Sequence, residues 1–411
     1  MTHDPYLALR TPAFRRYLGG HVLAVLGQGM LAVAIGWELY ERTGSAFSLG
    51  IVGLVQVIPL VALVLPAGQL ADRYDRRLVL MGAEGLVALA ALSLAAASTA
   101  QAPTWVYYLI LVIYGTGRTF QLPVKQAILP NLVPAESFTN AVAWNSGGWQ
   151  AADVIGPALG GLVIAWTGSA TGAYFACGGT ALVFLVLFSR ARGVRSDPSA
   201  GAPSRPTWSG LLEGVRFVRN SPMLLAAMSL DLFAVLLGGV IALLPIFAKD
   251  ILEVGPAGLG WLRAAQSLGA VSMSISLAHR PPFRRVGRTL LLSVAAFGLA
   301  IIVFGLSRNF LLSLAALFLA GMFDAVSVVI RLALAQIATP DGLRGRVSAV
   351  NSLFIGMSNE LGEAESGFLA GLIGPVGAVL VGGVSVILVV GVVGRTWPEL
   401  RTLDSLESAH R

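Results

Sequence analysis

Seven carboxylates stand in apolar surroundings. Glu38, Asp153, Asp231, Asp324, Glu360, Glu363 and Glu365 each interrupt a long hydrophobic run. A charged carboxyl group is costly in such a run unless it pairs or faces an aqueous path. Burial disfavours its charged form, which brings proton binding within reach of neutral pH. The chemistry on offer is therefore proton uptake and release. The densest case is NELGEAESG at 359–367. At about 100° per residue on a helix, Glu360 and Glu363 lie about 60° apart on one face. Glu365 is roughly 160° from Glu363 and cannot share that face. Two neighbouring carboxylates need not both ionise, so Glu360 or Glu363 is expected to hold a coupling proton.

Other charges extend this set. Asp324 and Arg331 lie about 20° apart in azimuth and about 10 Å apart along a helix, too far to pair directly. Asp324 is a cavity-lining candidate, whereas Arg331, near a helix end, can snorkel. Asp231, in the middle of its run, is a further proton candidate. Asp153 either titrates or supplies a hydrogen bond beside Gly156 and Pro157. Arg118 lies deep in an apolar run and must face a cavity or a partner. There it would tune a carboxylate, bind an anionic substrate or form a structural ion pair. Glu38 reads as a gate residue or plain surface, with Arg263 as a conceivable partner. Trp144 and Trp149 would contact a bulky substrate or pack in the core.

Several chemistries have no residues to support them. Cys177 is the lone cysteine, and the four histidines have no metal-ligand spacing. The two lysines, Lys125 and Lys249, do not follow glycine, so no phosphate-binding G-K-[ST] loop exists. We expect no enzyme activity, no metal and no cofactor, with a proton gradient as the energy source.

The elements that position these groups must live in lipid. Hydrophobic residues make up 56% of the 411 and charged residues 12%, half of what a soluble surface needs. Continuous apolar runs of about 20 residues favour helices over barrel strands. Twelve are read: 17–39, 47–71, 78–98, 103–127, 138–166, 170–190, 222–248, 257–279, 287–306, 310–336, 345–371 and 374–396. With a cytoplasmic N-terminus, 22 of the 28 Lys and Arg fall on inner segments, Lys125 among them. Both termini are then cytoplasmic, and the first run is an uncleaved span. The net charge of +7 reflects these inner loops, with no basic stacking face for nucleic acid. Trp37, Tyr40, Trp105, Tyr107 and Tyr108 fall at outer ends as an interfacial belt.

Residues 191–221 separate six spans from six. Pro, Ser and Gly make their first part a linker, and LLEGVRFVRN reads as a helix on the inner membrane surface. The expected division is 1–190, a linker at 191–221, and 222–411. An internal repeat supports it. PAESFTNAVAWNS at 134–146 aligns with PDGLRGRVSAVNS at 340–352, an offset of 206 that also pairs Gly156 with Gly362 and Gly161 with Gly367. Parallel repeats of this kind place a substrate site between halves near the membrane midplane.

Three motifs identify a relationship. The loop after the second span reads Gly68-Gln69-Leu70-Ala71-Asp72-Arg73-Tyr74-Asp75-Arg76-Arg77. It resembles the G-x-L-A-D-R-x-G-R-[RK] signature of the major facilitator superfamily, departing at Asp75. The resemblance implies a conformational latch in which Gly68, Asp72, Arg73, Arg76 and Arg77 engage charges and helix ends of the other half. In the fifth span, Gly156-Pro157-Ala158-Leu159-Gly160-Gly161 resembles the antiporter signature, although two earlier glycine positions fall on Ala143 and Ala152. Pro157 would kink that helix, and the glycines would admit close helix contact. Arg118-Thr119-Phe120-Gln121 resembles the R-x-x-Q-G element of drug/proton antiporters, with Leu122 in place of the glycine. The segments ALRTPAFRRYLGG and RGRVSAVNS are similar to the bacterial branch that holds the enterobactin exporter and macrolide efflux pumps.

The resemblance implies an all-α membrane protein of twelve transmembrane helices in two pseudo-symmetric six-helix bundles. It implies a bacterial plasma-membrane secondary transporter working by alternating access as a monomer. We expect proton-coupled export of an amphipathic small molecule, drug-like or a siderophore. A lysophospholipid transporter and a non-transporting receptor or scaffold are the alternatives. Membrane lipids are the other expected partner, and nucleic acid is not one.

Overall fold

The structure is a computed structural model that describes residues 4–191, 208–281 and 283–404. Among these residues it is helical with no strand. The first six long helices are α1 (Pro12–Thr43), α2 (Ala46–Arg73), α3 (Arg76–Thr99), α4 (Thr104–Ile128), α5 (Phe138–Thr167) and α6 (Thr171–Ser189). Then come α7 (Trp208–Asn220), α8 (Pro222–Gly238), the short α9 (Leu244–Ile246) and α10 (Gly255–Ala278). The chain continues through α11 (Val286–Leu306), α12 (Phe310–Ile337), α13 (Arg344–Ile373), α14 (Pro375–Thr396) and the short α15 (Pro398–Thr402).

Eleven of the twelve expected spans are each found as one helix, and eight segments, the interrupted seventh among them, are long and apolar enough to cross a membrane on length and composition alone. The remaining four, α4, α5, α10 and α13, carry more polar residues. Many large apolar side chains point outward, including Trp166, Leu311 and Leu372, as a lipid solvent allows.

The seventh span departs from a straight helix. After α8 the backbone at Gly239 is extended, and the chain resumes as a 3₁₀ turn, α9 and a π-helical turn ending at Ile251. The Gly238-Gly239 pair lowers the cost of leaving the helix, and Pro245 lacks the N–H that a continuous helix needs there. Elsewhere Gly168, at φ +68°, ends α5, and Gly374, at φ +83°, separates α13 from α14. Both conformations are strained for residues with a Cβ.

The chain forms two compact units. One comprises Met1–Arg42, Val55–Arg205 and Gly255–Gly260; the other comprises Thr43–Leu54, Pro206–Val254 and Trp261–Arg411. The first unit is centred on Phe14, Tyr17, Leu80, Val124, Phe184 and Phe188, with Tyr17 edge-on to both phenylalanines of α6. Its N-terminal segment is tied to α5. Asn140 accepts from the Ala8 N–H at 3.0 Å, and Asn140 and Trp144 both donate to the Pro5 carbonyl, at 2.8 and 2.9 Å. Trp144 is thus an anchor for the N-terminus, which neither sequence expectation anticipated.

In the second unit, Phe247 stacks obliquely on Phe304 at 4.6 Å. The amphipathic helix α7 seats Val218 against Met228, Val347 and Val350. Glu213 of α7 pairs with Arg346 of α13. The linker portion before it, residues 192–207, lies outside the described residues. At the C-terminus, Leu400 and Leu403 are buried, and the Gly287 N–H donates to the Leu403 carbonyl at 3.0 Å.

The repeated glycines make matching contacts in the two units. A Cβ on Gly156 would lie 2.8 Å from the Leu26 carbonyl oxygen of α1, and one on Gly362 would lie 2.8 Å from the Val235 carbonyl oxygen of α8. Gly161 packs against Gly260 in the first unit, and Gly367 packs against Gly50 in the second. The offset of 206 therefore describes equivalent helix crossings as well as letters.

Candidate functional site

The motif after α2 is built from helix ends. Gly68, Asp72 and Arg73 lie in the last turns of α2. Asp75, where the signature has glycine, caps α3: its carboxylate accepts the Arg77 N–H at 2.8 Å. The departure is thus an ordinary N-cap. Arg76 donates to the Ala127 carbonyl at the end of α4, at 3.1 Å, and Arg77 donates to the Ser189 carbonyl at the end of α6. Cations at helix C-termini gain from the unpaired carbonyls and the helix dipole. The resemblance implies partners in the other half; here both arginines are held by helix ends of their own unit.

In α5, Gly156 and Gly160 let α1 approach closely. Gly29 of α1 faces Pro157 and Gly156, and a Cβ on Gly160 would fall 2.7 Å from Met30 Cα. Asp153 lies one turn before Gly156 and is half-buried.

Arg118 is exposed on the first unit. It lies about 21 Å along α4 from Thr104 and about 15 Å from Ile128, so it sits near mid-membrane. Its guanidinium donates to Gln56 Oε1 of α2 at 3.1 Å and lies 5.8 Å from the centre of the Tyr114 ring. A fixed cation at that depth must face water or a polar path.

A second polar cluster in this unit escaped the sequence reading. Glu84 of α3 is completely buried, and the Lys125 Nζ of α4 approaches its Oε1 at 3.4 Å. Lys125 makes its shorter bond, 2.7 Å, to Gln121 Oε1, which also lies 3.5 Å from the Gln28 amide nitrogen of α1. His21 of α1 is buried and stacked on Tyr17, with ring centres 5.5 Å apart. Lys125 is thus no inner-loop charge: its side chain is 17% exposed and turned to a buried carboxylate. The signal for Glu84 was present, a carboxylate in the run LVLMGAEGLVALA. Lys125 lay too close to the expected helix end to stand out.

Glu38 is not a surface residue. It is buried, and its Oε1 accepts from Arg42 Nη2 at 2.7 Å and from Ser98 Oγ and Tyr107 Oη at 2.8 Å each. Arg42 also lies over the Tyr107 ring. The cluster ties α1, α3 and α4 together.

In the second unit, Asp231 of α8 forms a buried ion pair with Arg331 of α12. Arg331 therefore does not snorkel: it is 3% exposed. A neighbouring helix supplied a partner that the one-dimensional pattern could not show. Asp324 is half-buried, and among the described residues no hydrogen bond or ion pair reaches it. Glu360 and Glu363 are half-buried on α13, where Gly53 of α2 packs.

The comparisons agree with this architecture. The family model described as transmembrane secretion effector matches residues 3–411. The enterobactin exporters EntS of Shigella boydii serotype 18 and Escherichia coli O1:K1 are each 28% identical over 383 residues, covering 93% of this chain and 90% of theirs. Among solved structures, an inward-facing, unoccupied bacterial homologue of the human lysosomal transporter Spinster superposes with a TM-score of 0.72 at 15% identity. That match covers 97% of this chain and 99% of the other. The nucleoside transporter NupG gives 0.65 at 14% identity, covering 94% and 98%. These proteins are transporters, and the last two share the fold. The chain belongs to the transmembrane secretion effector family of major facilitator transporters.

Proposed function

We propose that this protein exports an amphipathic organic molecule, a siderophore such as enterobactin or a drug-like compound, in exchange for protons. The observation that carries the reading is Arg118. It is held by Gln56 at membrane depth and left exposed, which suits an anionic or hydroxyl-rich cargo passing along this unit. Guanidinium groups bind oxyanions through paired, directional hydrogen bonds. The export direction rests on the family and on the EntS relatives. Proton coupling rests on ionisable groups within the spans: Asp153 in the first unit, and Asp231, Asp324, Glu360 and Glu363 in the second. The latch residues and the α5 glycines are assigned to the conformational cycle, with both termini cytoplasmic and the protein acting as a monomer.

Arg118→Ala and Arg118→Lys in proteoliposomes test the assignment. Arg118→Ala should raise the KM for an anionic cargo by about tenfold or more, the value of one charged hydrogen-bonded contact. Arg118→Lys should recover part of it. Unchanged KM in Arg118→Ala would remove Arg118 from the cargo path.

A further inference from the structure

We propose that Glu84, buried in the first unit and approached by Lys125 of α4, is a proton-exchange site of this transporter. The proposal deepens the proton-coupled reading above and rests on it for the link to cargo movement.

The site is built by three helices and lies inside the membrane. Glu84 is about 12 Å along α3 from Arg76, and His21 is about 14 Å along α1 from Pro12. The titratable and charged groups that bear on Glu84 are Tyr17 from α1, Lys125 from α4 and Cys177 from α6. Lys125 in turn acts on His21 of α1 and feels Arg118 of α4.

A permanent ion pair would have a different form. Buried pairs hold only when geometry is close and the remaining lone pairs are served. Charged N–H to carboxylate bonds run at about 2.7–2.9 Å, and Lys125 stands off at 3.4 Å. Among the described residues, neither Glu84 oxygen accepts a hydrogen bond, and the Tyr17 hydroxyl, His21 Nδ1 and Gln121 Nε2 are also buried without partners. Such an array is costly for a carboxylate and cheap for a carboxylic acid.

Gln121 supplies the second half of the device. Its Oε1 keeps Lys125 hydrogen-bonded at 2.7 Å whichever form Glu84 takes. When a proton binds a Glu84 oxygen, Lys125 stays on Gln121. When the proton leaves, the ammonium provides the counter-charge. The proton is taken from and returned to water, so only the O–H bond of Glu84 forms and breaks. Gln121 lies three residues from Arg118 on α4, so a shift of Lys125 reaches the cargo-facing guanidinium through one helical turn.

Infrared difference spectroscopy of the full-length protein in lipid, titrated across neutral pH, tests this directly. The wild type should show the carbonyl stretch of a protonated carboxyl group that disappears as pH rises. Glu84→Gln should lose that band. Lys125→Met should keep it to higher pH, because the carboxylate has lost its counter-charge. If Glu84→Gln fails to fold, the shift in Lys125→Met carries the test. A band that is unchanged in Glu84→Gln, or unmoved in Lys125→Met, overturns the proposal. In transport, Glu84→Gln should lose gradient-driven accumulation of enterobactin and retain its gradient-free counterflow; retained accumulation also overturns it. A wild type with the Glu84 band but no gradient-driven transport would instead refute the proton-coupled reading and leave the proton site standing.

Discussion

At Glu38 a single oxygen accepts from Arg42, Ser98 and Tyr107. Removing it strands three donors in a largely buried site. Glu38→Ala should cost about 3–5 kcal/mol, the usual penalty for breaking a buried pair, and appear as a lower Tm with transport per folded molecule unchanged. The Asp231–Arg331 pair of the second unit allows a sharper contrast. Asp231→Leu alone leaves Arg331 charged and buried and should be strongly destabilising. Combined with Arg331→Met it should recover most of the wild-type Tm, since two apolar side chains need no counter-charge. A double variant as unstable as the single would contradict this. What the sequence showed at this scale was which groups are out of place in lipid. It could not show their partners, because Glu38 meets Ser98 and Tyr107, and Asp231 meets Arg331, across helix crossings. The pairing of Glu38 with Arg42 was the exception, four residues apart on one helix face, and the assumed helix end at 39 concealed it.

At the scale of elements, the helices were legible because length and hydrophobicity alone dictate them. The break after α8 was also written in the Gly238-Gly239 pair and Pro245, yet a continuous apolar run masks such local cues. The repeat predicts equivalent crossings, and the glycines make them. Gly156→Ala would place a Cβ 2.8 Å from a backbone carbonyl oxygen, which cannot swing aside as a side chain can. It should lower stability by about 1–3 kcal/mol. Gly179→Ala, in α6 with open space around the added methyl, should be neutral or stabilise by up to about 1 kcal/mol. Thermal unfolding of the two variants in one detergent checks the pair; equal shifts would show that close packing is not what the Gly156 position requires.

At the scale of the molecule, the orientation is read from charge. With Lys125 set aside as a buried residue, 21 of the 28 basic residues remain on the expected inner segments, and on that asymmetry we propose that both termini are cytoplasmic. Cys177 is buried, so introduced thiols can be labelled over a low background. Asp404→Cys should react with a membrane-impermeant maleimide only from the cytoplasmic face, and Glu41→Cys only from the opposite face; the reverse pattern would invert the topology. The central claim, proton-driven export, is tested most directly in proteoliposomes holding an imposed pH gradient, with enterobactin and a panel of fluorescent drugs as cargo. The account predicts uphill movement of at least one of them that a protonophore abolishes. Movement that proceeds unchanged when the gradient is collapsed would contradict it.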